Sequence, residues 1–357
     1  ALGTWNNPSL LDRVDGRYRG EIIRENGQLE EKIGKDIPAL LKDRQPEILI
    51  GISKTLSAIG ISTYNDELYN IFRSNKSPDV RASVLNTLGQ LNFDKMEAAM
   101  IIGMQDSNEQ VRTSAVGLLG QLNLPKEKLP AIVGPIFKKG SVSEQQQMLN
   151  VLGDLPVENS NTILASLIDK ASKNQLDQGI LLDLMESVNA TDNPKLIAQL
   201  DKLKKAGYSA DSFEETLHGG SWWAGRNVFN NNPTAQCVRC HAVDGSGGEV
   251  GPALDNIANV LNRKQILEAL IEPSKRLAPG YGTVTLTLKD GQKVQGVLIE
   301  QRANDILLRT SEAEPLEIPL GRIAKQENSM SAMPAMGRMI SRRELRDLME
   351  YLGSLKK

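Results

Sequence analysis

A five-residue phrase, apolar-x-x-apolar-Gly, recurs four times in the first half of this 357-residue chain. Its copies are LSAIG at 56–60, LNTLG at 85–89, VGLLG at 116–120 and LNVLG at 149–153, so the glycines fall 29, 31 and 33 residues apart. Repetition with a period near thirty residues is typical of proteins in which each unit buries its apolar face against the next one. The repeat therefore predicts stacked helical units in this half, rather than one globular core.

The repeats also carry the signals with which helices begin and end. SPDVR at 77–81 and SNEQVR at 107–112 precede two copies of the phrase by a similar interval. A Ser, Asp or Asn at this place caps the first free amides of a helix, apolar residues then follow at helical spacing, and the glycine ends the helix. We predict a solenoid with two helices per unit between about residues 29 and 208. It resembles the HEAT or PBS-lyase-like repeat class and has no catalytic cluster of titratable residues, so we expect a scaffold that docks other proteins.

Composition excludes several classes of protein. The formal net charge of −2 gives no general attraction to nucleic acid or to an anionic membrane. No apolar run approaches the roughly eighteen residues of a membrane span. The chain begins at Ala1 with neither an initiator methionine nor a signal-peptide pattern, so we expect a processed chain or a piece of a longer one. Residues 1–28 do not fit the repeat and are predicted to be the tail of an upstream domain.

Both cysteines and one of the two histidines lie in CVRCH at 237–241. A structural zinc site needs four ligands, and the second histidine, His218, is 19 residues before Cys237. A redox dithiol needs a βαβ context, but the loop NNNPT precedes Cys237, and a simple disulfide would leave His241 unexplained. The fourth interpretation is a covalent haem, with two thioethers to Cys237 and Cys240 and with His241 as the proximal iron ligand.

The sequence around CVRCH favours the haem interpretation. GRNVF at 225–229 precedes it, and GPAL at 251–254 follows it. Met333-Pro334 lies further on, and SRRE at 341–344 forms a capping box that opens an apolar-striped helix near the end of the chain. In this order the motifs resemble those of a cytochrome c.

The resemblance is closer to one family, the haem-binding domain found at the C-terminus of large HEAT-containing proteins similar to membrane-bound dehydrogenases. It covers roughly residues 212–357. It is carried by Gly219-Gly220, by DGSGGEVGP at 244–252, by EPSK at 272–275 after an isoleucine, and by a β-rich insert before Met333. It implies a cytochrome c-like domain over 209–357. A phosphate-binding loop is the other interpretation of the glycine run, but no strand precedes it, and it better suits a chain that passes close to a haem edge.

The resemblance also implies the residues that hold the cofactor. The carbonyl of Pro252 would accept a hydrogen bond from Nδ1 of His241, which leaves Nε2 for the iron. Met333 would be the distal ligand, because Pro334 favours an extended conformation at the residue before it. Met330 is the main rival for this position, and His218 is a further alternative.

The insert over about residues 281–326 is predicted from alternation. Val284, Leu286 and Leu288 alternate with threonines, and Asp290-Gly291 predicts a hairpin turn after them. Further strands are predicted where the chain returns at 294–299, and then at 306–308 and 316–318.

We therefore expect an electron-transfer protein rather than an enzyme: a mostly α chain with one covalent haem c, ligated by His241 and Met333. The resemblance implies that a dehydrogenase domain or subunit supplies the electrons and that a downstream acceptor receives them. Covalent attachment of haem by this motif, and the absence of any other cysteine, imply an exported or periplasmic setting, in which partners would provide any association with a membrane. One alternative is a non-redox interaction scaffold with a zinc or disulfide site at CVRCH. The other is a haem peroxidase, for which His218 and Trp222-Trp223 are the residues to examine.

Overall fold

The structure is a computed structural model that describes residues 9–12, 14–21, 32–122, 124–205, 213–310 and 314–357. These residues are mostly α-helical, as predicted, and include one small five-stranded sheet. They form two compact units, Ala1–Lys170 with Asp183–Leu200, and Ala171–Leu182 with Asp201–Lys357. In the described ranges, no helix is long and apolar enough to cross a membrane. The predicted domain boundary at 208 and most of the predicted N-terminal segment lie outside the described residues.

The first unit is built from helices that pack in sequence order. Those at 46–59, 78–90, 109–119 and 142–154 (α2, α4, α6 and α8) lie side by side, and each of the first three packs on the next. The helices that lie between them in the sequence also pack on this row. The bounds are α1 Ile37–Leu40, α2 Pro46–Ile59, α3 Asn65–Ser74, α4 Pro78–Gln90, α5 Met96–Met104, α6 Glu109–Leu119, α7 Leu129–Lys139, α8 Val142–Asp154, α9 Val157–Ser172, α10 Leu181–Ala190 and α11 Pro194–Lys205.

The predicted helix starts are confirmed. The side chain of Ser77 accepts a hydrogen bond from the amide of Val80 at the start of α4, and Asn108 accepts one from Gln110 at the start of α6. These side chains satisfy amides that have no partner within the helix.

Gly60 and Gly120 end their helices as predicted, but the other two recurring glycines serve a different purpose. Only Gly60, among the four, ends its helix in the left-handed conformation, with φ of 76°. Gly89 and Gly153 lie inside α4 and α8. A Cβ on Gly89 would be 2.8 Å from Leu118 Cδ2, and one on Gly153 would be 3.0 Å from Ser187 Cα. The general prediction of helix-ending glycines is therefore wrong for these two, which instead allow neighbouring helices to approach closely.

Two arginines at equivalent repeat positions connect successive parts of this unit. Arg81 donates to both carboxylate oxygens of Asp106 at 2.8 Å, and Arg112 donates to those of Glu144 at 2.7 and 2.9 Å. Each arginine also donates to two carbonyls of the loop before its own helix. Burial alone would raise the pKa of Glu144, but hydrogen bonds from Arg112 and from the Ser141 backbone outweigh it and hold the pKa below its usual value.

The second unit contains two helices that cross closely. The capping box at Ser341 is confirmed, and it opens the last helix. The other crossing helix spans residues 222–231 and contains Gly225. A Cβ on Gly225 would collide with the carbonyl of Asp347 in the last helix, so only glycine permits this close approach. The bounds of the elements outside the large sheet are α12 Trp222–Asn231, β1 Ala242–Val243, β2 Ser246–Gly247, α13 Ile257–Val260, α14 Arg263–Ile271 and α15 Arg342–Leu352.

The predicted insert forms an antiparallel sheet, here called the β-module. Its strands are β3 Thr283–Leu288, β4 Lys293–Gln301, β5 Asp305–Arg309, β6 Leu316–Pro319 and β7 Ile323–Asn328, in the order β6-β5-β4-β3-β7. The turn at Asp290-Gly291 is confirmed, with φ of 87° at Gly291. The module has its own apolar core, which includes Val284, Leu286 and Leu308. Because β3 pairs with β7, the chain enters and leaves the module at one place.

Candidate functional site

The CVRCH segment folds into a tight turn. Cys237–Arg239 is a short 3-10 helix, and the amides of Cys240 and His241 donate to the carbonyl of Cys237 at 3.1 and 2.9 Å. The turn brings Cys237, Cys240 and His241 to the wall of one cleft. Three side chains that are close in sequence therefore face the same space.

The imidazole of His241 is held in one orientation. Its Nδ1 lies 2.8 Å from the carbonyl oxygen of Pro252. A carbonyl oxygen can only accept a hydrogen bond, so Nδ1 carries the proton in this contact. The neutral ring then has its lone pair on Nε2, which is the arrangement found in histidines that bind a metal through that nitrogen.

The glycine run after the turn packs against the turn itself. Asp244 and Gly245 form the two-residue loop between β1 and β2, with φ of 56° and 71°. Beyond the hairpin, a Cβ on Gly248 would collide with the Arg239 carbonyl, and one on Gly251 would lie 2.5 Å from Cε1 of His241. The amide of Gly251 also donates to the Cys240 carbonyl at 2.7 Å. The run therefore approaches the 239–241 backbone and the imidazole, while its predicted place at a haem edge stays a prediction.

The cleft is open at its mouth and mostly apolar. Both crossing helices contribute to the walls, as do α14 and the loop around Met333. The apolar side chains in the walls are Phe229, Ala235, Val250, Pro252, Leu254, Ile257, Ile266, Ala269, Leu270, Pro273, Leu277, Ala278, Ala332, Met333, Pro334, Met336, Leu348 and Leu352. Such a cleft suits a mainly apolar ligand that is oriented by a few polar groups.

The methionines of the predicted ligand loop differ in position. Met333 is half-buried and lines the cleft, whereas Met330 is 91% exposed and is not part of the lining. Met336 also lines the cleft, but it is 2% exposed and packs in the core of the unit. Met333 is therefore the candidate ligand that both lines the cleft and keeps part of its side chain exposed.

The two cysteines differ in their surroundings. Cys240 is exposed, whereas Cys237 is half-buried, and burial raises the pKa of its thiol to about 11. A thiol in such surroundings stays neutral at physiological pH and is a poor nucleophile. Both cysteines are free, and within the described ranges no three His, Cys, Asp or Glu side chains come together as a metal site.

The residues of the peroxidase interpretation lie outside the cleft lining. His218 lies at the surface, where neighbouring residues still cover part of its imidazole. This partial burial and the nearby charge of Arg263 lower the pKa of the ring. Trp222 packs edge-on against Tyr351 with 5.7 Å between ring centroids, and Trp223 is 73% exposed. The structure does not bring these three side chains together with His241.

Sequence reasoning missed several residues of the cleft. Phe229 and Leu348 form part of its wall because α12 and α15 cross there, and no single helix pattern reveals a crossing. Arg276 and Tyr281 line it next to the start of the β-module. The EPSK segment contains Ser274, to which the sequence assigns no role.

No protein-family model matches the chain, and none of the curated proteins is significantly similar to it.

Proposed function

We propose that the second unit is a c-type cytochrome domain that transfers single electrons. The proposal rests on one observation, which is that a single cleft is lined by Cys237, Cys240, His241 and Met333. These are two thiols at haem-attachment spacing, an imidazole with a free Nε2 lone pair, and a thioether.

The residues of the cleft fit a haem. Gly251 leaves room beside the imidazole of His241, and a larger residue would push the ring away. The apolar walls match the faces of a porphyrin. A thioether at Cys237 carries no charge, so the burial that disfavours a thiolate there does not oppose it.

The bound haem would supply an iron that changes by one electron. Cys237 and Cys240 would fix its edge, and the Pro252 carbonyl would hold His241 with Nε2 toward the iron. Met333 would be the second protein ligand, and a histidine–methionine pair would favour electron transfer over oxygen or peroxide chemistry, at a higher reduction potential than two histidines would give. Outer-sphere electron transfer follows from this ligation.

The first unit would act as a scaffold. The row formed by α2, α4, α6 and α8, with α3, α5 and α7 packed on it, supports a HEAT-like solenoid that docks protein partners. We propose that a dehydrogenase domain or subunit donates the electrons, that a downstream acceptor takes them, and that the protein works in an exported or periplasmic setting.

Absorption spectroscopy tests the proposal. The protein is produced in a host that attaches haem to cytochromes c, and spectra are recorded before and after addition of dithionite. We expect sharp Soret and α bands from a haem that resists acid–acetone extraction. His241→Ala should lose the native spectrum, while His218→Ala, the matched control outside the cleft, should keep it. A colourless wild-type protein contradicts the proposal.

A further inference from the structure

The loop that carries Met333 is tied to the turn after α14 by a series of hydrogen bonds. Asn328 Nδ2 donates to the carbonyl of Lys275 at 2.9 Å and to that of Ser274 at 3.3 Å. The amide of Ser331 donates to Ser274 Oγ at 3.0 Å, and the amide of Met333 donates to Ser331 Oγ at 3.1 Å. A continuous path of polar contacts therefore leads from Ser274 to the Met333 backbone.

The turn at the start of this path is itself fixed. The amide of Lys275 donates to the Glu272 carbonyl at 2.9 Å, and its Nζ lies 2.8 Å from a carboxylate oxygen of Glu268 and 3.1 Å from one of Glu272. Pro273 restricts the backbone just before it and lines the cleft. The hydroxyl of Ser274 is thus held at a defined place next to the cleft.

The β-module fixes the other end of the loop. Asn328 is the last residue of β7 and pairs with Val284 of β3, and the amide of Ser329 donates to the Thr283 carbonyl at 2.9 Å. A strand paired in this way holds its end residue firmly, so the Asn328 side chain is aimed at the 274–275 carbonyls by the sheet. Between these two supports, residues 329–335 contain no helix or strand.

We propose that Ser274 and Asn328 are positioning residues that hold the Met333 thioether at the haem iron. This inference rests on the proposed function. A methionine on an unsupported loop would lose backbone entropy each time it bound the iron. The two anchors, one from the turn after α14 and one from the β-module, remove most of that cost before the haem is present. The insert then has a definite role, because its last strand supplies one of the two anchors.

Competition by imidazole measures how firmly Met333 is held. Imidazole that displaces the thioether abolishes the weak far-red iron–sulfur band of the oxidised holoprotein. Since one hydrogen bond contributes about 1 kcal/mol net, and 1.4 kcal/mol corresponds to about a factor of ten, Ser274→Ala and Asn328→Ala should each bind imidazole about fivefold more tightly than the wild type. The reduction potential of both variants should fall. Ser274→Thr, which keeps the hydroxyl, should restore the affinity of the wild type.

Lys325→Ala is the control. Lys325 Nζ lies 2.8 Å from a carboxylate oxygen of Glu327, two residues along β7, and both side chains are exposed. We expect this variant to bind imidazole as the wild type does. Amide hydrogen exchange at Ser331, which depends on no iron chemistry, should accelerate in Ser274→Ala and not in Lys325→Ala.

The possible failures are distinguishable. A wild-type protein without covalent haem, or with haem but without the far-red band, contradicts the proposed function, and the inference falls with it. A wild-type holoprotein that has the band, together with Ser274→Ala and Asn328→Ala variants that bind imidazole with wild-type affinity, overturns the inference alone. If Ser274→Ala does not accumulate as holoprotein, Asn328→Ala and Ser274→Thr decide the question.

Discussion

Gly251 lies directly against the imidazole of His241, and the carbonyl of the next residue, Pro252, is 2.8 Å from Nδ1 of the same ring. One dipeptide therefore sets both the position and the tautomer of the histidine. Gly251 has no side chain, so the backbone can approach the ring closely. The carbonyl oxygen of Pro252 can only accept a hydrogen bond, so Nδ1 of His241 must donate it. The ring has little freedom left to rotate.

The first prediction concerns this contact. Gly251→Ala should displace the imidazole, because the new Cβ would be 2.5 Å from Cε1, and overpacking of this kind costs about 1–3 kcal/mol. We expect a lower yield of holoprotein and an altered Soret band. Gly321→Ala is the control, because nothing lies within 4 Å of its Cβ. Equal yields and spectra for the two variants would refute this account of Gly251.

The second prediction assigns the distal ligand. Met333→Ala should abolish the far-red iron–sulfur band, lower the reduction potential and open the iron to added ligands. Met330→Ala should leave all three unchanged, because Met330 is 91% exposed and lies outside the cleft lining. Loss of the band in Met330→Ala with its persistence in Met333→Ala would reverse the assignment.

The third prediction concerns acid stability. The pKa of Glu144 is lowered in the folded state, so the ionised carboxylate contributes stability above its ordinary pKa of 4.5, and this contribution is lost as the pH falls through the folded-state pKa. Glu144→Gln should reduce the free energy of unfolding of the first unit by about 3 kcal/mol at neutral pH, and by progressively less below pH 4.5. Urea titrations followed by circular dichroism at several pH values measure the difference.

The control for this prediction is an exposed ion pair of the same unit. Glu97 pairs with Lys128 at 3.0 Å, and their side chains are 39% and 54% exposed. Glu97→Gln should therefore change the free energy of unfolding by less than about 1 kcal/mol at any pH. An equal loss in both variants, or a loss in Glu144→Gln that does not depend on pH, would contradict the role given to the buried pair.

The fourth prediction contrasts two helical glycines. Gly153→Ala should destabilise the first unit by about 1–3 kcal/mol, because its Cβ would press on the backbone of Ser187. Gly134→Ala should stabilise it by up to about 1 kcal/mol, since nothing lies within 4 Å and alanine loses less entropy on folding. Thermal unfolding gives both values, and shifts of the same sign would show that close packing does not explain Gly153.

Much of the local structure could be predicted because local chemistry determines it. Ser77, Asn108 and Ser341 cap helices through contacts within three residues, and Asp290-Gly291 turns a hairpin through its own backbone preference. The strand β7 was missed, because its sequence IAKQEN lacks alternation and its residues are mostly exposed at the edge of the sheet. Only its pairing with β3 makes it a strand.

The site could be predicted only in part, because some of its residues meet only through tertiary contacts. Cys237, Cys240 and His241 are adjacent in sequence, so their spacing alone predicts that they act together. Phe229 and Leu348 reach the cleft through a helix crossing, and Ser274 reaches the Met333 loop across 57 residues to Ser331. Contacts of this kind depend on tertiary structure, which no local pattern encodes.

Intact-mass spectrometry of the purified wild-type protein tests the central claim most directly. The protein should be produced in a host shown to attach haem to another cytochrome c in the same preparation. The account predicts the mass of the polypeptide plus one haem, with the haem retained under denaturing conditions. It also predicts loss of that added mass when Cys237 and Cys240 are both replaced by Ala. A wild-type mass equal to that of the bare polypeptide would contradict the account.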